Sequence, residues 1–170
     1  GQGAPLLFLH SAQGFDPRHP FVGQLAAARR VIAPSHPGFG RSSLPDWLDT
    51  VNDIAHVYLE LLDRLDLGAI DVVGCSVGGW IAADLASKLP RAVRRLVLVG
   101  PVGVKTGPID RLDIPDIYAM NPEAVPRIMF HDPAHGQIDT SKLSDEELAI
   151  IARNRETLAL LAWEPWMHDP

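Results

Sequence analysis

The segment Gly74-Cys75-Ser76-Val77-Gly78-Gly79 constrains this chain more than any other. It follows an apolar run, Ile70-Asp71-Val72-Val73, and leads into a helical pattern over Gly79–Leu89 that Pro90 stops. A strand that turns sharply into a helix leaves no room for side chains two positions before and after the turning residue, so Gly74 and Gly78 are needed. Ser76 is expected in a strained conformation that lifts its Oγ clear of the main chain at the carboxyl end of the strand. The helix start behind it offers unpaired N–H groups and a positive dipole end. G-x-S-x-G in this strand-turn-helix context suits a serine that acts as a nucleophile. Two other glycine readings fail. Trp80 stands where a phosphate-binding loop needs lysine, and Ser43 stands where Gly38-Phe39-Gly40 would need a third glycine to bind a dinucleotide.

The rest of the first hundred residues repeats the strand-helix alternation. Leu6-Leu7-Phe8-Leu9, Val31-Ile32-Ala33 (stopped by Pro34) and Leu96-Val97-Leu98-Val99 are short continuous apolar runs. Strands buried on both faces of a parallel sheet read this way. Helical patterns cover residues 20–28 and Thr50–Leu67, the latter with Ile54, Val57, Tyr58, Leu61, Leu62 and Leu65 on one stripe. Thr50 and Asp53 have the spacing of a capping box. The order predicts an α/β fold with a mostly parallel sheet and helices on both faces.

From about residue 104 the chain is rich in Pro, Asp and Met and lacks strand-like runs until its end. Asp116–Phe130 suits one or two short helices interrupted by Pro122 and Pro126. Ser144-Asp145-Glu146-Glu147 opens a helix expected to reach about Trp163, with Pro165 ending it. Residues 1–103 are thus expected to form a partial α/β core, and 104–170 a helical lid.

The composition is that of an ordinary globular protein, with 46% hydrophobic and 21% charged residues. A net charge of −6 argues against nucleic-acid and anionic-membrane partners. No apolar stretch reaches membrane-spanning length. One cysteine, Cys75, excludes an intrachain disulfide and a Cys-based zinc site, which points to a reducing, cytoplasmic setting. Cys75 occupies the variable position of its motif and reads as a small buried apolar residue.

Four loops fall at the carboxyl ends of the expected strands, where parallel sheets bind ligands: His10–Gly14, Ser35–Ser42, the Ser76 turn and Pro101–Gly103. Seven histidines are present. His10 and His36 precede the serine and read as loop-structuring groups. His56 and His19 read as solvated. His131 and His135 have helical metal-pair spacing, but Pro133 between them disfavours the helix, so no metal site is expected. His168 ends the lid and could face a substrate. Trp80, Met120, Met129, Phe130, Trp163, Trp166 and Met167 are apolar candidates for a pocket, with core or lid packing as the plainer reading.

Three motifs in order, Leu6-Leu7-Phe8-Leu9-His10, Pro37-Gly38-Phe39-Gly40-Arg41-Ser42 and the Ser76 turn followed by Arg95–Val99, resemble the α/β-hydrolase family, and within it the lid-bearing esterases and carbon–carbon hydrolases. The resemblance spans residues 1 to about 103. It implies a serine hydrolase of a small apolar ester or related carbonyl compound, with an acyl-enzyme on Ser76 and no cofactor or metal. It also implies an oxyanion hole from the backbone N–H groups of Ala12 and Val77, with His10, Ser11, His36, Gly74 and Gly78 in the surrounding loops. Ser11 departs from the glycine usual at that position. Serine rather than aspartate at position 76 argues against dehalogenase or epoxide-hydrolase chemistry, while carbon–carbon hydrolysis and perhydrolysis stay open. The family's order of serine, acid and histidine places the last two outside these residues. The chain is therefore expected to be truncated at both ends, inactive and poorly stable alone, with Leu96–Val99 as an uncovered edge. The alternatives are a non-catalytic ligand-binding protein of the same fold and an inert fragment. Oligomeric state stays open.

Overall fold

A computed structural model describes residues 1–108, 110–111 and 113–163. Strands β1 (Pro5–Leu9), β2 (Arg30–Ile32), β3 (Ile70–Cys75) and β4 (Val93–Val99) pair in parallel in the order β2-β1-β3-β4. Helices α1 (Pro20–Ala28), α2 (Val51–Leu65) and α3 (Val77–Lys88) make the crossovers, and α4 (Val125–Met129) and α5 (Asp145–Leu161) follow. This is the α/β architecture that the alternating pattern predicts. Among the described residues no helix is long and apolar enough to cross a membrane.

Alternation along β1 sorts the two faces of the sheet. Leu7 and Leu9 join Val72 in a core with Ile54, Ala55 and Tyr58 of α2 and Ile81, Ala82 and Leu85 of α3. Phe8 points the other way and packs on Phe15 and on Phe21 of α1, at ring-centroid distances of 5.7 and 5.4 Å. Helix α2 begins at the expected capping box, with Thr50 Oγ1 accepting from the Asp53 N–H at 3.2 Å and the Asp53 carboxylate accepting from the Thr50 N–H at 2.9 Å. It ends at Leu65 rather than Leu67, because Asp66 turns left-handed (φ 45°). Leu65 is consequently exposed and not on the buried stripe.

Other boundaries shift for identifiable reasons. Helix α3 starts at Val77, two residues before the expected Gly79, because Gly78 and Gly79 form its buried first turn. Strand β2 is Arg30–Ile32 rather than 31–33, in register with Pro5–Leu7 of β1. Strand β4 begins at Val93, where Arg94 reaches across to the Asp71 carboxylate of β3 with two 2.8 Å hydrogen bonds. Arg29 joins the same carboxylate at 2.7 Å, and the two guanidiniums hold Asp71 down to a pKa of about 2. Over 116–130 only the five-residue α4 forms. Pro126 does not interrupt it but sits in its first turn, where no N–H is needed.

The outer edge of the sheet is apolar and open. Leu96, Val97, Leu98 and Val99 are 36–52% exposed, and residues of both parities are included, so among the described residues neither face of β4 is fully covered over these four positions. Such an edge offers unpaired backbone and a contiguous apolar surface for association. The chain 1–170 is expected to self-associate and bind a hydrophobic dye at concentrations of about 10–100 μM. Sedimentation showing a dye-silent monomer with one cooperative melt would contradict this.

Candidate active site

The order of the strands singles out one place on the sheet. The chain leaves β1 toward β2 on one side and leaves β3 toward β4 on the other, so a crevice opens between the carboxyl ends of β1 and β3. Leu9 of β1 is in register with Gly74 of β3, which brings His10–Ala12 alongside Cys75–Val77. The loops singled out from the sequence meet here.

Ser76 is the residue between β3 and α3, with φ 54° and ψ −120°. For a residue with a Cβ this conformation costs on the order of 1–3 kcal/mol. Four backbone hydrogen bonds hold it. The Ser76 N–H donates to Val99 O at 3.0 Å, and the Ser76 carbonyl accepts from Gly79, Trp80 and Val102 N–H at 2.8, 3.2 and 3.2 Å. The glycines are required by contact. A Cβ on Gly74 would lie 2.3 Å from the Gly78 oxygen, and one on Gly78 would lie 2.3 and 2.4 Å from the Leu9 and His10 oxygens. The start of α3 is therefore pressed against the end of β1. Among the described residues the Ser76 hydroxyl has no hydrogen-bond partner, and the N–H groups of Val77 and Ala12 have no protein acceptor.

The loop after β1 folds differently from what a glycine at position 11 would require. The Gly14 N–H donates to Ser11 O at 3.0 Å, and Gly14 (φ 93°) takes the left-handed conformation. Ser11 stays at negative φ and its hydroxyl donates to Gln13 Oε1 at 2.6 Å. The demand for glycine has moved three residues along the turn.

His10 and His36 are fully buried and lie against each other, with ring centroids 3.7 Å apart and the ring planes tilted by 31°. Their partners fix the tautomers. The His36 backbone N–H donates to His10 Nε2 at 3.0 Å, so the His10 proton is on Nδ1, which donates to Ser11 O at 2.7 Å. His36 Nε2 donates to His10 O at 2.9 Å, so its Nδ1 accepts from the Tyr58 hydroxyl at 2.6 Å. All four ring nitrogens are engaged, and neither histidine is free to take a proton from Ser76. Burial lowers both pKa values, and His10 adds to the effect on His36. Below their ordinary value of 6.5 the unfolded chain binds protons that the folded chain refuses. Stability is thus full above that pH and falls as pH drops through it, by up to about 1.4 kcal/mol per pH unit for each histidine. Urea midpoints of the full gene product should decline steadily from about pH 7 to about pH 5, and a flat profile would refute the assignment.

The remaining histidines lie elsewhere. His56 is exposed and bonds its own helix through Asn52 O at 2.9 Å, and His19 is exposed at the start of α1. His131 and His135 are exposed, with His135 in a 3-10 turn over Pro133–Gly136 rather than in a helix. Among the described residues no three metal-ligating side chains come together. His168, Trp166 and Met167 lie outside the described residues. Cys75 is half-buried, and burial pushes its thiol above the ordinary value, which keeps it protonated at neutral pH. Trp80 packs against Gly103 and the core, whereas Met129 and Phe130 are exposed.

The sequence reading missed two residues of α5. Asn154 and Thr157 are buried, at 2% and 3% exposure. Asn154 Oδ1 accepts from the Gly40 N–H at 2.7 Å and its Nδ2 donates to Gln13 O at 3.0 Å, while Thr157 Oγ1 donates to Gly38 O at 2.8 Å. Helix α5 is thereby fastened to both loops beside the crevice.

Residues 4–129 match the alpha/beta hydrolase fold family. The chain belongs to that family. It is 36% identical over 127 residues to the 2-hydroxymuconate semialdehyde hydrolase of Pseudomonas sp. (strain CF600), covering 72% of this chain and 44% of that protein. It is 35% identical over 119 residues to the 2-hydroxy-6-oxo-2,4-heptadienoate hydrolase of Pseudomonas putida, covering 66% and 43%. A putative lipase from Acinetobacter baumannii has the same fold, with a TM-score of 0.65, 22% identity and coverage of 93% of this chain and 56% of that one. The chain therefore spans less than half the length of these two curated relatives.

Proposed function

We propose that the protein carrying this chain is a serine hydrolase of small apolar esters or related carbonyl compounds. Ser76 Oγ attacks the carbonyl carbon, the carbonyl π electrons move onto oxygen, and the Ala12 and Val77 N–H groups hold that oxyanion. Collapse of the tetrahedral adduct expels the leaving group and leaves an acyl-enzyme, which water hydrolyses. The observation that carries the reading is the geometry of Ser76. It is held at positive φ in the crevice between β1 and β3, and among the described residues its hydroxyl has no partner and two N–H groups in the adjoining turns have no protein acceptor. Strain kept at one polar residue beside unpaired donors is characteristic of a reacting group.

A base is still needed, because a serine hydroxyl is a weak nucleophile. His10 and His36 are committed to each other and to Tyr58. We place the base and its orienting acid in the part of the protein outside these residues. Helix α5, resting on the loops beside the crevice, suits a lid.

Similarity to the two Pseudomonas hydrolases favours a narrower second reading, hydrolysis of a carbon–carbon bond next to a ketone. Both readings are tested by giving the full gene product short-chain p-nitrophenyl esters, a 2-hydroxy-6-oxo-dienoate and a fluorophosphonate probe. Turnover of either substrate with the phosphonate adduct on Ser76 is expected, and the preferred substrate separates the two readings. Saturable ligand binding with no turnover and no adduct would instead make this a non-catalytic member of the fold.

A further inference from the structure

We infer that Asn154 is a positioning residue, one carboxamide on α5 that sets the loop carrying the Ala12 N–H. The inference rests on the proposed oxyanion role of Ala12. The carboxamide is buried, and its orientation is fixed by its neighbours. Gly40 N–H can only donate and Gln13 O can only accept, so Oδ1 faces the first at 2.7 Å and Nδ2 the second at 3.0 Å. No side chain that only donates or only accepts satisfies both.

The fit is close on both loops. A Cβ on Gly14 would lie 2.9 Å from Asn154 Nδ2, and one on Gly38 would lie 2.6 Å from Thr157 Cγ2. Gln13 is the residue after Ala12, in a four-residue turn closed by the Gly14 N–H to Ser11 O bond. The Asn154 contact is thus two peptide units along the turn from the donor, and it is made from a helix outside the sheet. Thr157 docks the same helix on Gly38, away from the Ala12 turn, and supplies a comparison. A helix docked in this way couples its own seating to the placement of a donor.

Three variants of the full gene product test this beside Ser76→Ala. Asn154→Ala is expected to lower kcat about 10–100-fold with KM within about twofold, since a displaced oxyanion donor affects the transition state and not the bound substrate. Thr157→Val is expected to lower the melting temperature with kcat within about twofold. Asn154→Asp keeps the acceptor for Gly40 and, as a carboxylate, sets a second acceptor against Gln13 O in place of the donor. It should reproduce the kcat loss, and it carries the test if the alanine variant fails to fold. Parental kcat in a folded Asn154 variant, or an equal loss in Thr157→Val, overturns the inference. Retained turnover in Ser76→Ala instead overturns the serine reading.

Discussion

Replacing Ser76 with alanine is expected to lower kcat by about 10⁴-fold or more while leaving the fold and substrate affinity in place. Alanine fits the space and keeps the hydrogen bonds of the turn, because all four bonds at this residue involve its backbone. Only the proposed nucleophile is removed. Residual rate above that in water would come from the proposed Ala12 and Val77 oxyanion donors, which would act on whatever attacks the carbonyl. Glycine at the same position separates chemistry from strain. It would be equally inactive, but it adopts φ 54° without penalty and should raise stability by about 1 kcal/mol over the alanine variant. Initial rates and urea midpoints for the two variants of the full gene product check both parts. An alanine variant with kcat within tenfold of the parent would remove Ser76 from the chemistry.

Gly78→Ala is expected to cost about 3 kcal/mol or more, far beyond the usual cost of one methyl group. The added carbon would lie 2.3 and 2.4 Å from the Leu9 and His10 oxygens. These are backbone atoms and have little freedom to yield. Leu9 is in register with Gly74, and His10 O accepts from His36 Nε2. Moving them apart would pull β1 from β3 or break the buried histidine network. Gly23→Ala is the matched control. It lies in α1, and an added methyl there would have nothing within 4 Å, so it should be neutral or stabilise by about 0.5–1 kcal/mol. Equilibrium urea denaturation of the full gene product compares the two directly. A Gly78 variant as stable as the parent would show that α3 and β1 approach less closely than these distances require.

Features governed by local sterics and local hydrogen bonding are legible in the amino-acid order. The turn at Ser76 needs glycine on either side whatever the rest of the chain does, and the capping boxes at Thr50 and Ser144 satisfy helix N–H groups within four residues. Short apolar runs separated by helical stretches leave a parallel α/β sheet as the natural arrangement. Boundaries are less legible, since one left-handed residue such as Asp66 stops a helix that the apolar pattern would continue.

The site beyond Ser76 depended on contacts between distant parts of the chain. His36 meets His10 across 26 residues, and Tyr58 meets His36 across 22, so the partners of two histidines that read as loop-structuring groups were set by the fold. Asn154 reaches Gly40 across 114 residues. A faint signal existed in α5, where Asn154, Thr157, Leu158 and Leu161 share one helical face and two of those core positions are polar. That pattern marks a buried polar contact without naming its partner. The sequence alone determined where the chain must turn and which residue it must strain, because steric exclusion acts within a few bonds. Only the tertiary structure decided which loops that residue faces and which helix holds them, because strand order and helix docking bring together groups that the chain itself keeps far apart.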